Sequence, residues 1–402
     1  MATEIKVGLA GFGNVGKGTY DILKRNHSLI RQRAGAPISV KRVTVRNVDR
    51  VKLLVDEDVI VTNDWHDLVN DPEVNVVVEA MGGIEPAKSL ILAAIDAGKH
   101  VVTANKALLA EHGNEIFSAA QTKGVNVAFE AAVAGSIPIV KALREGLAAN
   151  RVSSIAGIIN GTCNFILSTM RDTGRSFDDV LKEAQRLGYA EADPTFDIEG
   201  TDSAHKLMLL SAIAFGVPVD MTKVHIEGIT HLEAKDIKFA EELGYRIKLL
   251  GRCLRLEGGR RTAYVAPHLI SEENPMSDVN DVFNAVVVRG NATGEVMFYG
   301  KGAGELPTAS ACVADVIECL QEERHRPEIG WSADTGGFAS PLTLKNRWYF
   351  RVGTDTLPEA LHSAKVLEQG TETAFITPPI TGTDAEWLAA YLPTLAKMRV
   401  LD

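Results

Sequence analysis

Two patterns in this 402-residue chain can do chemistry. The first is Gly11-Phe12-Gly13-Asn14-Val15-Gly16, between the apolar run Ile5 to Ala10 and a helical pattern from Asn14 to about Arg25. In that setting the first glycine turns the chain sharply, the second lets backbone approach a pyrophosphate, and the third lets helix pack on strand. The helix N-terminus adds free N–H groups and partial positive charge. The pattern predicts a dinucleotide and redox chemistry; the bland alternative is a structural turn. The second pattern is the polar stretch from Gly188 to Asp202, which feeds a helix carrying Lys206. Asp202 and Lys206 share one helix face. An exposed ion pair is the common meaning of that spacing. The apolar Leu207, Met208, Leu210 and Ile213 that follow argue for a buried helix instead. There a lysine beside carboxylates can donate a proton to a carbonyl oxygen while a nicotinamide supplies hydride. Spare carboxylates can hold a substrate ammonium.

These groups need a scaffold, and the first half of the chain supplies one. Short Val/Ile-rich runs (Ile5 to Ala10, Ile38 to Val45, Val74 to Ala80, His100 to Thr103, Val125 to Phe129) alternate with amphipathic helical segments. That alternation predicts an α/β fold, a Rossmann-like doubly wound parallel sheet over residues 1–150. Ligands bind such sheets beyond the carboxyl ends of the strands. Three of those ends are chemically marked: Glu79-Ala80-Met81-Gly82-Gly83, Thr103-Ala104-Asn105-Lys106, and Phe129-Glu130. Met81, Gly82, Thr103 and Lys106 are therefore expected beside the cofactor, although Lys106 could equally act on substrate or be solvated. No clear acid ends the second strand. Arg46 and Arg50 could meet a 2′-phosphate, favouring NADP over NAD; Asp49 could be a displaced ribose ligand, or both arginines could be solvated.

From about Arg151 the pattern changes to an α+β substrate and oligomerisation domain, 151–304. A strand from Ser154 to Ile159 and a helix from Asp202 to Phe215 belong to it, Gly216 and Pro218 stopping that helix. A second glycine cluster, Gly300 to Gly304, precedes a helix over about 305–325 that returns to the first domain. Residues from about Trp348 read strand, helix, strand, helix. Cys163, in Asn160-Gly161-Thr162-Cys163-Asn164, is either a nucleophile or a small residue in a tight loop; nothing in the sequence ties His205 or His231 to it.

Hydrophobic residues make up 46% and charged residues 23%, ordinary for a soluble globular protein. A net charge of −10 without a Lys/Arg block argues against nucleic acid and anionic membranes as partners. Four unpaired-looking cysteines fit a reducing cytosol, and neither a signal peptide nor a membrane span is expected.

The stretches GLAGFGNVGKG, VVVEAMGG, HVVTANKALLA, FEAAVAGSIPI, INGTCNFIL, LGYAEADPTFDIEGTDSAHK and YGKGAGELPTAS resemble homoserine dehydrogenase over roughly residues 5 to 320. The resemblance implies NAD(P)-dependent interconversion of L-aspartate 4-semialdehyde and L-homoserine. Lys206 would be the proton donor, Asp202 its positioner, and Lys106 a second active-site lysine. Glu191 and Asp197 would bind the amino acid, near Gly161, Thr162 and Tyr189. Gly302 would return to the cofactor. A monovalent cation, sodium, would sit on a loop matching Glu130, Val133, Gly135 and Ile137. A homodimer or homotetramer is implied. The family usually shows Thr where Cys163 stands. Many relatives end in a regulatory ACT domain; residues 345–402 resemble a shortened, degenerate one. YFRV would be its first strand, Leu357-Pro358-Glu359-Ala360 replaces the usual turn, and the middle strands are expected to be missing, leaving threonine regulation in doubt. No aspartokinase segment precedes the dehydrogenase, so a monofunctional enzyme is expected.

Overall fold

In the computed structural model, residues 4–217, 220–321, 337–354, 357–358, 361 and 365–401 are described. The strands β1 (Ile5–Ala10), β2 (Ile38–Thr44), β3 (Ile60–Thr62), β4 (Val74–Glu79), β5 (His100–Thr103) and β6 (Val127–Ala128) form one sheet in the order β3-β2-β1-β4-β5-β6. Every pairing in it is parallel. Val76, Val77 and Val78 are wholly buried, which explains the unbroken apolar run of β4: helices cover both faces. The chain reverses its direction of winding between β1 and β4, and such a switch point opens a crevice beyond the strand ends. Gly11 follows β1 there, and Ala80 to Gly82 follow β4. The helix Glu305–Gln321 packs its Cys312, Val313, Val316 and Cys319 into the core formed with Val7, Leu9, Val76 and Val102. Two compact units result, the first comprising Met1–Ala149, Ala212–Pro218 and Lys301–Asp334.

The second unit holds Asn150–Ser211, Val219–Gly300 and Thr335–Asp402. Its sheet runs in the order Gly294–Lys301, Phe283–Gly290, β7 (Val152–Ile158), Tyr245–Arg255, Arg261–Ser271, Thr394–Leu401, Trp348–Val352, Glu372–Ile376, Lys365–Gln369. Ile158, Leu250, Ile270, Ala285 and Leu401 form a core cluster in this unit. The helices Gly161–Thr173 and Thr201–Phe215 carry the polar groups of interest.

The C-terminal stretch departs from expectation. Its middle strands are present: Lys365–Gln369 and Glu372–Ile376 form an antiparallel hairpin around Gly370, and Glu372–Ile376 pairs with Trp348–Val352. With Thr394–Leu401 and the helix Gly382–Tyr391, they give the spatial order 4-1-3-2 of a split βαβ sheet. The turn at Leu357-Pro358-Glu359-Ala360 falls partly outside the described residues. The stretch also does not stand apart: Thr394–Leu401 pairs in parallel with Arg261–Ser271, so one sheet spans what was divided into 151–304 and 345–402. Among the described residues no helix is long and apolar enough to cross a membrane.

Candidate active site

In the first unit the dinucleotide loop has the geometry its residue types require. Gly11 has φ +101°, and a Cβ there would lie 2.5 Å from the Ala80 carbonyl oxygen. A Cβ on Gly16 would lie 2.1 Å from the Gly11 carbonyl oxygen, so the helix α1 (Asn14–Arg25) packs against the turn only because Gly16 has no side chain. Around a Cβ on Gly13 nothing lies within 4 Å. That open cradle, at a helix N-terminus that no side chain caps and with no acid in its first turn, fits a pyrophosphate. Phe12 packs on the first-unit core and lies 5.8 Å from the Tyr20 ring.

Facing Gly11 is the turn after β4, and a residue not singled out for a role shapes it. Glu79 is completely buried. Its Oε1 accepts from the backbone N–H groups of Met81 (2.8 Å) and Gly82 (3.1 Å), and Thr103 Oγ1 donates to Oε2 at 2.6 Å. Asn105 Nδ2 donates to the Gly83 carbonyl, while its Oδ1 caps the helix Lys106–Lys123. Met81, Gly82, Thr103 and Lys106 are thus gathered at two neighbouring strand ends by one carboxylate and one amide. A buried acid at a strand end was the available signal for Glu79. Lys106, the first residue of its helix, is partly buried.

Beyond β2 the outcome is mixed. The strand stops at Thr44, and Val48–Lys52 is a short helix capped by Asn47, whose side chain accepts from the Arg50 N–H. Asp49 therefore lies in a helical turn rather than at the strand end. Arg46 and Arg50 are exposed.

The loop after β6 turns through two consecutive left-handed residues, Ala134 (φ 55°) and Gly135 (φ 54°). The Glu130 carboxylate is buried, and both its oxygens are occupied, accepting from the Val140 (2.9 Å) and Lys141 (2.8 Å) N–H groups. Burial, with Glu318 nearby, pushes its carboxyl up to about 7. The Asp315 carboxylate accepts from the Glu130 N–H at 2.9 Å. Ser136 donates through both N–H and Oγ to the Lys301 carbonyl, which brings Gly302 against Gly135. Among the described residues no group of three or more His, Cys, Asp or Glu side chains could hold a metal ion.

In the second unit the Asp202–Lys206 pair is not a surface ion pair: the two side chains are 6% and 12% exposed. Lys206 Nζ donates to Asp202 Oδ2 (2.7 Å) and to the Ile159 carbonyl at the end of β7 (2.8 Å). The third N–H of the ammonium is left for a further acceptor. Asn160, next to Ile159, ties the cluster together. Its Nδ2 donates to Asp202 Oδ2 (2.8 Å) and to Asp197 Oδ1 (2.7 Å), and its Oδ1 caps the helix Gly161–Thr173. Two carboxylates, one ammonium and one amide converge, leaving net negative charge. Asn160 was visible only as part of a motif, because its role depends on three segments meeting. Thr162 Oγ1 donates to the Tyr189 carbonyl at 2.6 Å, so Gly161, Thr162 and Tyr189 adjoin this cluster. Glu191 is exposed on the following loop.

Cys163 does not lie in a loop; it stands in the first turn of a helix, fully buried, its Sγ donating to the Asp197 carbonyl at 3.2 Å. Burial, then the Asp197 charge, raises the thiol well above its ordinary value. A thiol kept protonated and out of reach is no nucleophile.

A glycine-built turn at a helix N-terminus on a doubly wound sheet, and in the second unit a largely shielded lysine–aspartate pair, are features of a nicotinamide-dependent oxidoreductase. The family model for homoserine dehydrogenase matches residues 138–317, and that for the homoserine dehydrogenase NAD-binding domain matches 11–130. A homoserine dehydrogenase of Pseudomonas aeruginosa is 53% identical over 81% of this chain and 74% of its own length; one of Bacillus subtilis is 41% identical over 80% and 74%. The crystal structure of a homoserine dehydrogenase from Thiobacillus denitrificans superposes with a TM-score of 0.91 at 45% identity, over 100% of this chain and 99% of that one. The chain belongs to the homoserine dehydrogenase family.

Proposed function

We propose that the chain reduces L-aspartate 4-semialdehyde to L-homoserine, in the biosynthesis of threonine, methionine and isoleucine, with Lys206 as the proton donor. The observation that carries this reading is the Lys206 ammonium, partly buried and oriented by Asp202 and the Ile159 carbonyl with one N–H to spare. When bound, NADPH supplies the hydride to the carbonyl carbon. Lys206 gives its proton to the carbonyl oxygen as negative charge develops there, so an alcohol leaves and the lysine is reprotonated from water. Asp202 keeps the ammonium aimed, and Asn160 keeps Asp202 and Asp197 in place. The net negative charge of the cluster, with Glu191 on the adjoining loop, suits the substrate ammonium; Gly161, Thr162 and Tyr189 shape that end. Lys106 serves as the second lysine, acting on cofactor or substrate.

NADP is the favoured cofactor. Arg46 is exposed just past β2 and, among the described residues, makes no hydrogen bond or ion pair, as suits a guanidinium awaiting a 2′-phosphate. A hyperthermophilic archaeal homoserine dehydrogenase with a TM-score of 0.68 and 27% identity is known in complex with NADPH. A monovalent cation, sodium, would be held by the carbonyls of Glu130, Val133, Gly135 and Ile137. The left-handed turn there and the occupied Glu130 carboxylate support carbonyl ligands. Assembly into a homodimer or homotetramer is supported by the edge strand Gly294–Lys301, which exposes Tyr299.

Steady-state turnover of L-aspartate 4-semialdehyde against longer and shorter amino-acid semialdehydes, each with NADPH and with NADH, tests the reading. Preference for the four-carbon substrate with NADPH is expected. Equal rates with the analogues would sink the substrate assignment, and a clear NADH preference would sink the role of Arg46.

A further inference from the structure

Lys248 lies on the strand Tyr245–Arg255, 1% exposed, and among the described residues no carboxylate pairs with it. Its ammonium donates to three neutral oxygens: the Val279 carbonyl, Asn164 Oδ1 (3.2 Å) and Asn280 Oδ1 (3.2 Å). A bare buried ammonium is costly, so its retention at the centre of such a cage asks for a reason. The cage joins two elements. Asn164 lies in the first turn of the helix Gly161–Thr173, and its Nδ2 donates to the carbonyls of Val279, Asp281 and Phe283. Asn280 Oδ1 also accepts from Arg171 at 2.9 Å, near the end of the same helix. The loop from Val279 to Phe283 is thereby pulled onto that helix, with Asp281 forced to φ 53°.

The loop reaches the reaction cluster at one point. A Cβ on Gly161 would lie 2.8 Å from the Val282 carbonyl oxygen, so the loop presses directly on the first residue of the helix. The preceding residue is Asn160, whose amide holds Asp197 and Asp202. From this juxtaposition we infer that Lys248 is a positioning residue: its ammonium clamps the Val279–Phe283 loop onto the helix and thereby fixes the Asn160 amide that orients Asp202 and Lys206. The inference rests on the proposed roles of Asp202 and Lys206.

The clamp needs the charged form. An ammonium has three N–H groups for three oxygens, and the neutral amine has two. Burial among neutral oxygens, and then the Arg171 charge, pushes the Lys248 pKa down to about 7. The charged and titratable groups around it are Arg171 and Asp172 on the helix, Asp278 before the loop, Arg246 and Tyr245 on its own strand, and Glu241 on a neighbouring helix. The clamp therefore loosens as pH rises through about 7.

The test is steady-state kinetics of full-length Lys248→Met with L-aspartate 4-semialdehyde and NADPH. Expected is a rise of about tenfold or more in KM for the semialdehyde with a fall in kcat, since small misplacements of a reacting constellation are costly. KM for NADPH is expected within about twofold of wild type, because the phosphate cradle belongs to the other unit. Wild-type KM for the semialdehyde is also expected to rise from about pH 6 to about pH 8, and that rise to vanish in Lys248→Met. If Lys248→Met does not fold, Asn280→Ala opens the same cage from its less buried side and is expected to raise the semialdehyde KM about threefold. A folded Lys248→Met, or a folded Asn280→Ala, with wild-type KM and kcat for the semialdehyde overturns the inference, whatever its melting temperature. So does a parallel rise in KM for NADPH. A wild-type enzyme inactive on the semialdehyde overturns both the proposed function and this inference, whereas an active wild type with an indifferent Lys248→Met overturns the inference alone.

Discussion

The glycine loop proposed to hold the cofactor and the side-chain cluster proposed to meet the substrate are made of different material. The loop after β1 works through backbone: a left-handed Gly11, an open Gly13, and a Gly16 that touches the turn. The cluster after β7 works through side chains: Asn160, Asp197, Asp202 and Lys206 locked to one another by hydrogen bonds of 2.7–2.8 Å. A backbone site fails when something is added, because the space is already used. A side-chain site fails when something is removed, because the partners are left unsatisfied in a buried place.

The sharpest way to break the comparison is Lys206→Ala. Loss of a general acid is expected to lower turnover by about 10²- to 10⁴-fold. Cofactor affinity, followed by quenching of protein fluorescence on NADPH binding, should be unchanged. A variant that keeps full turnover removes lysine from the donor role. Gly16→Ala should do the reverse. The added methyl meets the Gly11 carbonyl, and overpacking of this kind costs about 2 kcal/mol, or about thirtyfold in NADPH dissociation constant. Wild-type NADPH affinity in that variant would show that the loop has slack the geometry does not reveal. Arg46→Ala sharpens the picture of the glycine-loop end, where the proposed 2′-phosphate contact is made by a side chain. The KM for NADPH is expected to rise about tenfold while that for NADH stays put; equal shifts would refute a 2′-phosphate contact.

The smallest effect concerns stability. Burial holds the Glu130 carboxyl at about 7, above its ordinary 4.5. Between those values the folded chain keeps a proton that the unfolded chain gives up, so stability is greatest on the acid side and falls as pH rises through the window. Glu130→Gln cannot titrate and should show a shallower fall in melting temperature between about pH 5 and about pH 8. Parallel curves for the two proteins would exclude Glu130 as the source.

The same contrast explains what could be read from the sequence. The glycine loop was legible because backbone geometry dictates residue type within six positions, and β4 because a doubly covered strand must be apolar throughout. The helix Thr201–Phe215 was legible from its apolar run and its stop at Gly216. Asn160 was not, and Glu79 was legible only as an acid at a strand end, since such an amide or acid acquires a role only once distant segments close around it. The hairpin Lys365–Gln369/Glu372–Ile376 was missed because its strands are short and rich in Lys, Glu, Gln and Thr, so neither composition nor period separated strand from helix.

The parallel pairing of His268, Leu269 and Ile270 with Arg399, Val400 and Leu401 has one more consequence. Removing the C-terminal strand would not simply shed an accessory module. It would strip a row of backbone donors and acceptors from the middle of a buried sheet and expose a sticky border that invites other chains to add on. Truncated forms of this protein should therefore be lost to aggregation before any question of regulation can be asked of them.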